Sequence, residues 1–271
     1  MIIELLDGTR YDIKDYSLKR LYHRIPSVGV EHSTNSVEGR DGDIFIETRF
    51  NNRVISVELL YIARDIFDYY LLRDEINGLF ARKETFYIIF KKEPYKRWKV
   101  RLATPFETEP HPHMRSFTVE FITVQPFAES VGTSLELAEQ NFDSGLWGFG
   151  SRIDVDIDYE YVFNQSNFTV HNIGNVPIDP REHEIEITLK GTFSNGVTIK
   201  NATTGDEYRY NGSLSSTDEL KISGVRTLKN GVSDFRRTNH KLITLGVGAN
   251  NLTVEGGTVN SIAFNFRFLY L

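Results

Sequence analysis

The chain has 271 residues, long enough for two domains of ordinary size, and at 40% hydrophobic against 25% charged it is too apolar to be disordered. The absence of cysteine excludes disulfide staples, thiolate metal sites and cysteine nucleophiles. A net charge of −6 without clustered Lys and Arg gives no surface for neutralising phosphates, and no Gly-x-x-x-x-Gly-Lys or Gly-x-Gly-x-x-Gly loop is present.

The aromatic share of 13%, nearly all Phe and Tyr, favours pleated surfaces and so a mainly β chain. The segment Met1–Arg10 carries Glu4 and Asp7 and no long apolar stretch, so no export signal is expected there. No apolar run reaches the roughly 18 residues that span a bilayer, so a protein made in the cytoplasm and not inserted in a membrane is expected. The sequons at Asn167, Asn201, Asn211 and Asn251 then carry no weight.

In chain order, residues 20–52 are polar and broken by Pro26, Gly29, Gly39 and Gly42. Gly39-Arg40-Asp41-Gly42-Asp43 reads as a turn and Ile44–Thr48 as the strand after it, which predicts a long two-stranded arm unable to bury a core alone. From about 62 to 82 the period becomes helical. Ile62, Ile66, Tyr69, Leu72, Ile76, Leu79 and Phe80 recur at spacings of three and four. Strands are predicted at Phe86–Phe90, Trp98–Leu102 and Phe117–Val124, with a proline-bearing loop over Thr104–His113. Glu129–Asn141 has the makings of a short helix, and the glycine-rich Asp143–Gly150 is irregular. A boundary between domains is placed in this stretch, giving 1–135 and 136–271. Beyond Ser151 short alternating strands such as Ile185–Leu189 and Ala263–Leu269 are separated by turn signals every eight to twelve residues. That spacing predicts a β-sandwich or jelly roll.

Candidate chemistry is sparse. Asp154, Asp156 and Asp158 alternate like calcium ligands, but the positions that need Gly and Glu hold Tyr159 and Gln165, so a solvated strand face is the expectation. His111-Pro112-His113 lacks a third ligand and reads as a wet loop. The pairs Lys91-Lys92 and Arg236-Arg237 read as solvated turns. Trp147 reads as a packing anchor against another subunit, with a sugar platform as the alternative. No Ser-His-Asp set or carboxylate pair is evident, so no catalytic, cofactor or metal site is expected.

Phe168–Pro177, with its Asn172-Ile173-Gly174 turn, resembles the opening of the C-terminal domain in distal tail proteins of long-tailed phages, the siphoviruses. Asn201–Asp206 looks like that family's Asn-x-Thr-x-Gly strand-turn. Asp218–Ser223, Leu228–Gly231 and Leu245–Asn251 follow in the same order, although Ser223 stands where the family often has Asp. In the first half Gly39–Gly42, the helix with Asp68-Tyr69-Tyr70, the loop Lys91–Arg97 and Pro126–Ser130 look like the N-terminal tail domain. The resemblance implies a non-enzymatic hub of the tail tip or baseplate. Six copies would form a ring through the N-terminal domain and the arm near residues 20–52, and a galectin-like C-terminal sandwich would project outward. It implies a virion location and, as partners, the tail tube protein, a tail-associated lysin or fibre protein and receptor-binding proteins, with genome DNA passing through unbound. The rival readings are a carbohydrate-binding adhesin, against which both Trp98 and Trp147 lie outside 151–271, and a glycan hydrolase.

Overall fold

β-Forming runs punctuated by glycine and proline build most of both halves of this chain. The computed structural model describes residues 1–39, 41–139, 145–148, 151–154 and 156–271. By internal contacts the chain divides into one unit of Met1–Ala128 with Leu271 and a second of Glu129–Tyr270.

The first unit contains β1 (Ile2–Glu4), β2 (Arg10–Asp12), β3 (Leu18–Arg24), β4 (Gly29–Ser36), β5 (Asp43–Asn51), β6 (Val54–Ile62), α1 (Ile66–Phe80), β7 (Phe86–Ile89), β8 (Lys96–Leu102) and β9 (Met114–Thr123). Its main sheet runs in the order β2-β1-β7-β8-β9-β6-β3, antiparallel throughout, while β4 and β5 pair only with each other. Strand β6 shows why the sheet is amphipathic: Ile55, Val57, Leu59 and Tyr61 are wholly buried, while Val54 and Ile62 at its ends are exposed.

Helix α1 closes over that buried face. Asp65 caps its first turn by accepting from the Asp68 amide, and Tyr69, Leu72, Ile76, Leu79 and Phe80 form the buried stripe. Phe80 packs edge-on against Phe106 and tilts on Phe121, with ring centres 5.9 and 5.6 Å apart. The proline-bearing loop is pinned by hydroxyls: Tyr69 donates to the Thr108 carbonyl and Tyr61 to the Glu109 carbonyl, both at 2.7 Å. The helix is shorter than the periodicity suggested. Ile62 belongs to β6, because pairing with Met114 holds it extended until Asp65 can start the helix.

In the second unit, entered through β10 (Ala128–Ser130), α2 (Ser134–Ala138) is held by a reciprocal capping box of Thr133 and Glu136. Of the expected helix to Asn141, residues 140 and 141 lie outside the described residues, as do 143, 144, 149 and 150 of the glycine-rich stretch. The strands that follow are β11 (Val162–Phe163), β12 (Asn167–Asn172), β13 (Ile185–Thr192), β14 (Val197–Asn201), β15 (Asp206–Tyr210), β16 (Glu219–Ser223), β17 (Arg226–Lys229), β18 (Val232–Ser233), β19 (Gly248–Glu255), β20 (Thr258–Phe266) and β21 (Leu269–Tyr270). One sheet runs β11-β20-β13-β16-β17-β18 and a second runs β12-β19-β14-β15. They meet through aromatic rings: Phe163 stacks on Phe168 at 4.3 Å, and Phe168 reaches Phe264 at 5.8 Å.

The turn phrases of this half converge on buried asparagines. Asn250 accepts from the Gly246 amide at 2.8 Å and from the Asn201 side chain at 3.2 Å, and it donates to the Gly246 and Gly248 carbonyls. Asn201 in turn donates to the Thr244 carbonyl. Asn172 closes its own turn by accepting from the Gly174 amide and donating to the Val176 carbonyl. Each replaces backbone partners that a sharp reversal leaves unmet. Gly174 itself is required, since a Cβ there would lie 2.5 Å from the Leu269 carbonyl oxygen.

Replacing Phe264 by Ala removes a fully buried ring between the sheets and is expected to cost about 3–5 kcal/mol of unfolding free energy. A urea titration measures it; a loss below about 1 kcal/mol would show that the aromatic cluster is dispensable.

Candidate assembly arm

The feature of the first unit that its own core does not explain is the pair β4–β5. Ser36 and Asp43 are the last partners before the tip, and Gly39 and Gly42 adopt φ values of +82° and +77° there. Arg40, in the predicted turn, lies outside the described residues. The arm is narrower than expected: residues 20–24 of the predicted segment belong to β3, because Leu18, Lys19, Arg20, Tyr22, His23 and Arg24 pair with β6.

Cross-strand partners share a face, so the register sorts the arm's side chains. Val30 with Phe50 and His32 with Thr48 lie on one face, where His32 also meets the edge of Phe45 at 6.1 Å and hydrogen-bonds Thr48 at 2.8 Å. Glu31 with Arg49 and Ser33 with Glu47 lie on the other. A bulge between Ser33 and Thr34 leaves Ile46 unpaired, and Ile46 and its neighbour Phe45 are 60% and 61% exposed. Val30, Val37, Ile44 and Phe50 are also exposed. Two strands carrying this much uncovered apolar surface have no core of their own.

The root of the arm is buried and bonded by contrast. Arg53, only 6% exposed, donates from Nη1 to the Pro26 carbonyl at 3.3 Å and stacks its guanidinium on Trp98 with a 5.3 Å separation. Its own amide donates to Thr123 Oγ1 at 2.9 Å, locking the exit of β5 to the end of β9. Burial lowers the pKa of Arg53, yet from an ordinary value of 12.5 the group stays charged at neutral pH. Beside it Phe50 packs edge-on against Phe127 at 6.1 Å. The arm is thus a solvent-exposed lever on a fixed base.

The other sequence candidates fall elsewhere. Asp154, Asp156 and Asp158 are exposed but are not a strand face. The Asp154 carboxylate accepts from the Asp156 amide at 3.1 Å and so forms a turn, with Val155 outside the described residues. His111 Nδ1 accepts weakly from the His113 and Met114 amides at 3.3 Å, which orders the loop. Lys91 pairs with Asp12, and Arg237 with Asp234 at 3.6 Å. Among the described residues no group of three or more His, Asp or Glu side chains is placed to hold a metal ion, and no helix is long and apolar enough to cross a membrane. Trp147 is buried, packed on Gly132 and 5.9 Å from Phe268 within its own chain, so it is neither a sugar platform nor an anchor to another subunit. Trp98 is equally buried. Sequence reasoning missed Arg53, since an arginine between an exposed strand and a buried one carries no local signal of burial.

Residues 7–123 match the family described as the phage tail protein RIFT-related domain. That stretch is similar to a phage tail domain. A comparison with curated protein sequences gives no match. Among solved structures, the fold is similar to the Dit protein (gp 19.1) of phage SPP1, described as a paradigm of the hub adsorption apparatus in phages that infect Gram-positive hosts. The two share 15% identity over 98% of each chain, with a TM-score of 0.70. It is also similar to a chain of the phage p2 baseplate in its activated, strontium-bound conformation, at 11% identity over 98% of this chain and 96% of that one, with a TM-score of 0.50. At such identities the likeness is one of fold. A first unit with a two-stranded arm, followed by a β-sandwich, is therefore a fold shared with these two chains, in keeping with the mainly β, two-part architecture that the resemblance in the sequence implied.

Replacing Arg53 by Met keeps an apolar stem over Trp98 and removes the bond to Pro26, worth roughly 1 kcal/mol, or about fivefold in opening of the root. Tryptic cleavage at Arg24–Ile25 should accelerate by about that factor. An unchanged rate would show that the root is held by other contacts.

Proposed function

We propose that this chain is the structural hub of a phage tail tip, assembled as a ring of six copies through the arm, and that it performs no catalysis. The observation that carries this reading is an arm with exposed apolar side chains and no core, rigidly rooted in a domain of a phage tail family. Such a segment gains its stabilisation from a neighbour. A contact between an arm on one surface and a different surface on the next copy is head-to-tail, and it closes into a ring when the rotation permits. The fold likeness to the SPP1 hub protein and to a p2 baseplate chain supports the same role.

In this reading the ring joins the tail tube protein to the adsorption apparatus, with a lysin or fibre protein below and receptor-binding proteins around it, and the genome passes through the lumen without specific binding. The first unit is the ring-forming tail domain and the second the outward, galectin-like domain. The location is the virion.

Light scattering on the purified full chain, with negative-stain images of the same fraction, tests this. A mass of about six copies and ring-shaped particles are expected, and replacing residues 29–51 by a short Gly-Ser linker should give monomers that keep the β spectrum by circular dichroism. Rings that survive loss of the arm would overturn the role assigned to it, and a monomer that binds glycans on an array would favour an adhesin.

A further inference from the structure

The chain holds a single Asp-Pro pair, Asp179-Pro180, in the connection between β12 and β13 of the second unit. Proline's nitrogen carries no hydrogen, and on cleavage it leaves as a secondary amine. The carboxylate of the aspartate before it stands one ring closure away from that residue's own carbonyl carbon. In an unstructured chain the closure is slow, because nothing fixed steadies the charge that develops on the carbonyl oxygen.

The turn around Asp179 supplies what such a chain lacks. Its carbonyl oxygen accepts from two backbone amides, Glu182 at 3.0 Å and His183 at 2.8 Å. Two amides converging on one carbonyl are the donor set that stabilises a tetrahedral oxyanion. The Asp179 carboxylate is fixed on the same turn: Oδ1 accepts from the Arg181 amide at 2.9 Å, and Oδ1 and Oδ2 accept from Arg181 Nη1 at 3.2 and 3.1 Å. His183 Nδ1 accepts from the Asp179 amide at 3.1 Å, which sets the imidazole beside this stretch of backbone. The Asp179 side chain is 34% exposed and so within reach of water, while Pro180 is buried.

We infer that Asp179-Pro180 is a self-cleaving peptide bond, hydrolysed through attack by the Asp179 carboxylate with His183 as proton donor. A carboxylate oxygen bonds to the Asp179 carbonyl carbon and closes a five-membered ring, and its negative charge passes to the carbonyl oxygen held by the two amides. That oxygen re-forms its double bond as the carbon–nitrogen bond breaks, and protonated His183 gives its proton to the Pro180 nitrogen. Water then opens the cyclic anhydride to the two carboxyl groups of a chain end at Asp179, and nothing is oxidised or reduced. The two pieces stay in one sandwich, because Ile178 exchanges backbone bonds with Leu245 at 2.8 and 2.9 Å and β13 pairs with β16 and β20. Burial pushes the His183 imidazole below its ordinary value of 6.5, against the opposing pull of Glu182 and Asp179. The donor form is therefore scarce at neutral pH and gains as pH falls.

The purified full chain, incubated across about pH 5 to 8 both folded and in concentrated urea, tests this by intact-mass spectrometry. The folded chain should yield residues 1–179 and 180–271 at least tenfold faster than the unfolded one, with a rate that rises toward the acid end. Size-exclusion chromatography should show the two pieces still together. Asp179→Glu, which needs a larger ring, should lose the cleavage. His183→Gln should slow it at least tenfold and flatten its pH dependence, and circular dichroism establishes that both variants fold. The comparison of folded with unfolded chain needs neither variant. No cleavage at this bond, or cleavage no faster than in urea, overturns the inference, and a rate and pH profile untouched by His183→Gln overturns the role given to the histidine.

Discussion

A strand pair has no inside. That constraint governs the first unit, because β4 and β5 leave the sheet they are attached to and take with them Val30, Ile44, Phe45, Ile46 and Phe50. Elsewhere in the unit such side chains alternate into a core, as Ile55, Val57 and Leu59 do in the next strand. In the arm the alternation produces two faces and both remain wet. The exposed apolar area is a standing cost in the isolated chain, which any surface that covered it would remove by the ordinary hydrophobic effect.

Rigidity at the base is what makes such a segment usable. Contact through a mobile arm would spend much of its gain on ordering the arm. Arg53 reduces this cost by placing a buried cation between the Pro26 carbonyl and the Trp98 ring, and Thr123 fixes the backbone beside it. A guanidinium suits the position because it remains charged under desolvation and presents flat faces to an aromatic ring. The second unit uses the opposite economy. There the turn asparagines Asn172, Asn201 and Asn250 satisfy buried backbone groups from within the unit.

Much of this was readable from residue order. The helix stripe from Tyr69 to Phe80, the strands around Phe86, Trp98 and Phe117, and the turn spacing after Ser151 each follow from side-chain period, which reports burial directly. The arm's existence followed from glycine placement and the lack of any apolar period. What failed to show were features set by distant partners. Ile62 fits the helical stripe but is captured by Met114, far away in sequence. The acids at 154–158 alternate as a strand would, yet a local carboxylate-to-amide bond turns the chain. The burial of Arg53 and the place of β3 at the sheet's edge depend on which strands come together, and one-dimensional pattern is silent on that.

The sheet order also has a temporal side. β1, the first strand, pairs on one side with β2 close by and on the other with β7, so Ile2 faces Ile89 and Glu4 faces Tyr87. As the chain leaves the ribosome, β1 cannot pair with β7 until Ile89 is out, the centre of the sheet cannot close until β9 follows as far as Thr123, and the arm emerges well before the strands that anchor its root. Non-local pairing of this kind folds slowly, commonly in milliseconds to seconds, and leaves strand edges open meanwhile. The arm's apolar side chains would then be exposed among nascent copies before its own base is set. The acidic residues along it repel other arms and so oppose arm-to-arm pairing in that interval.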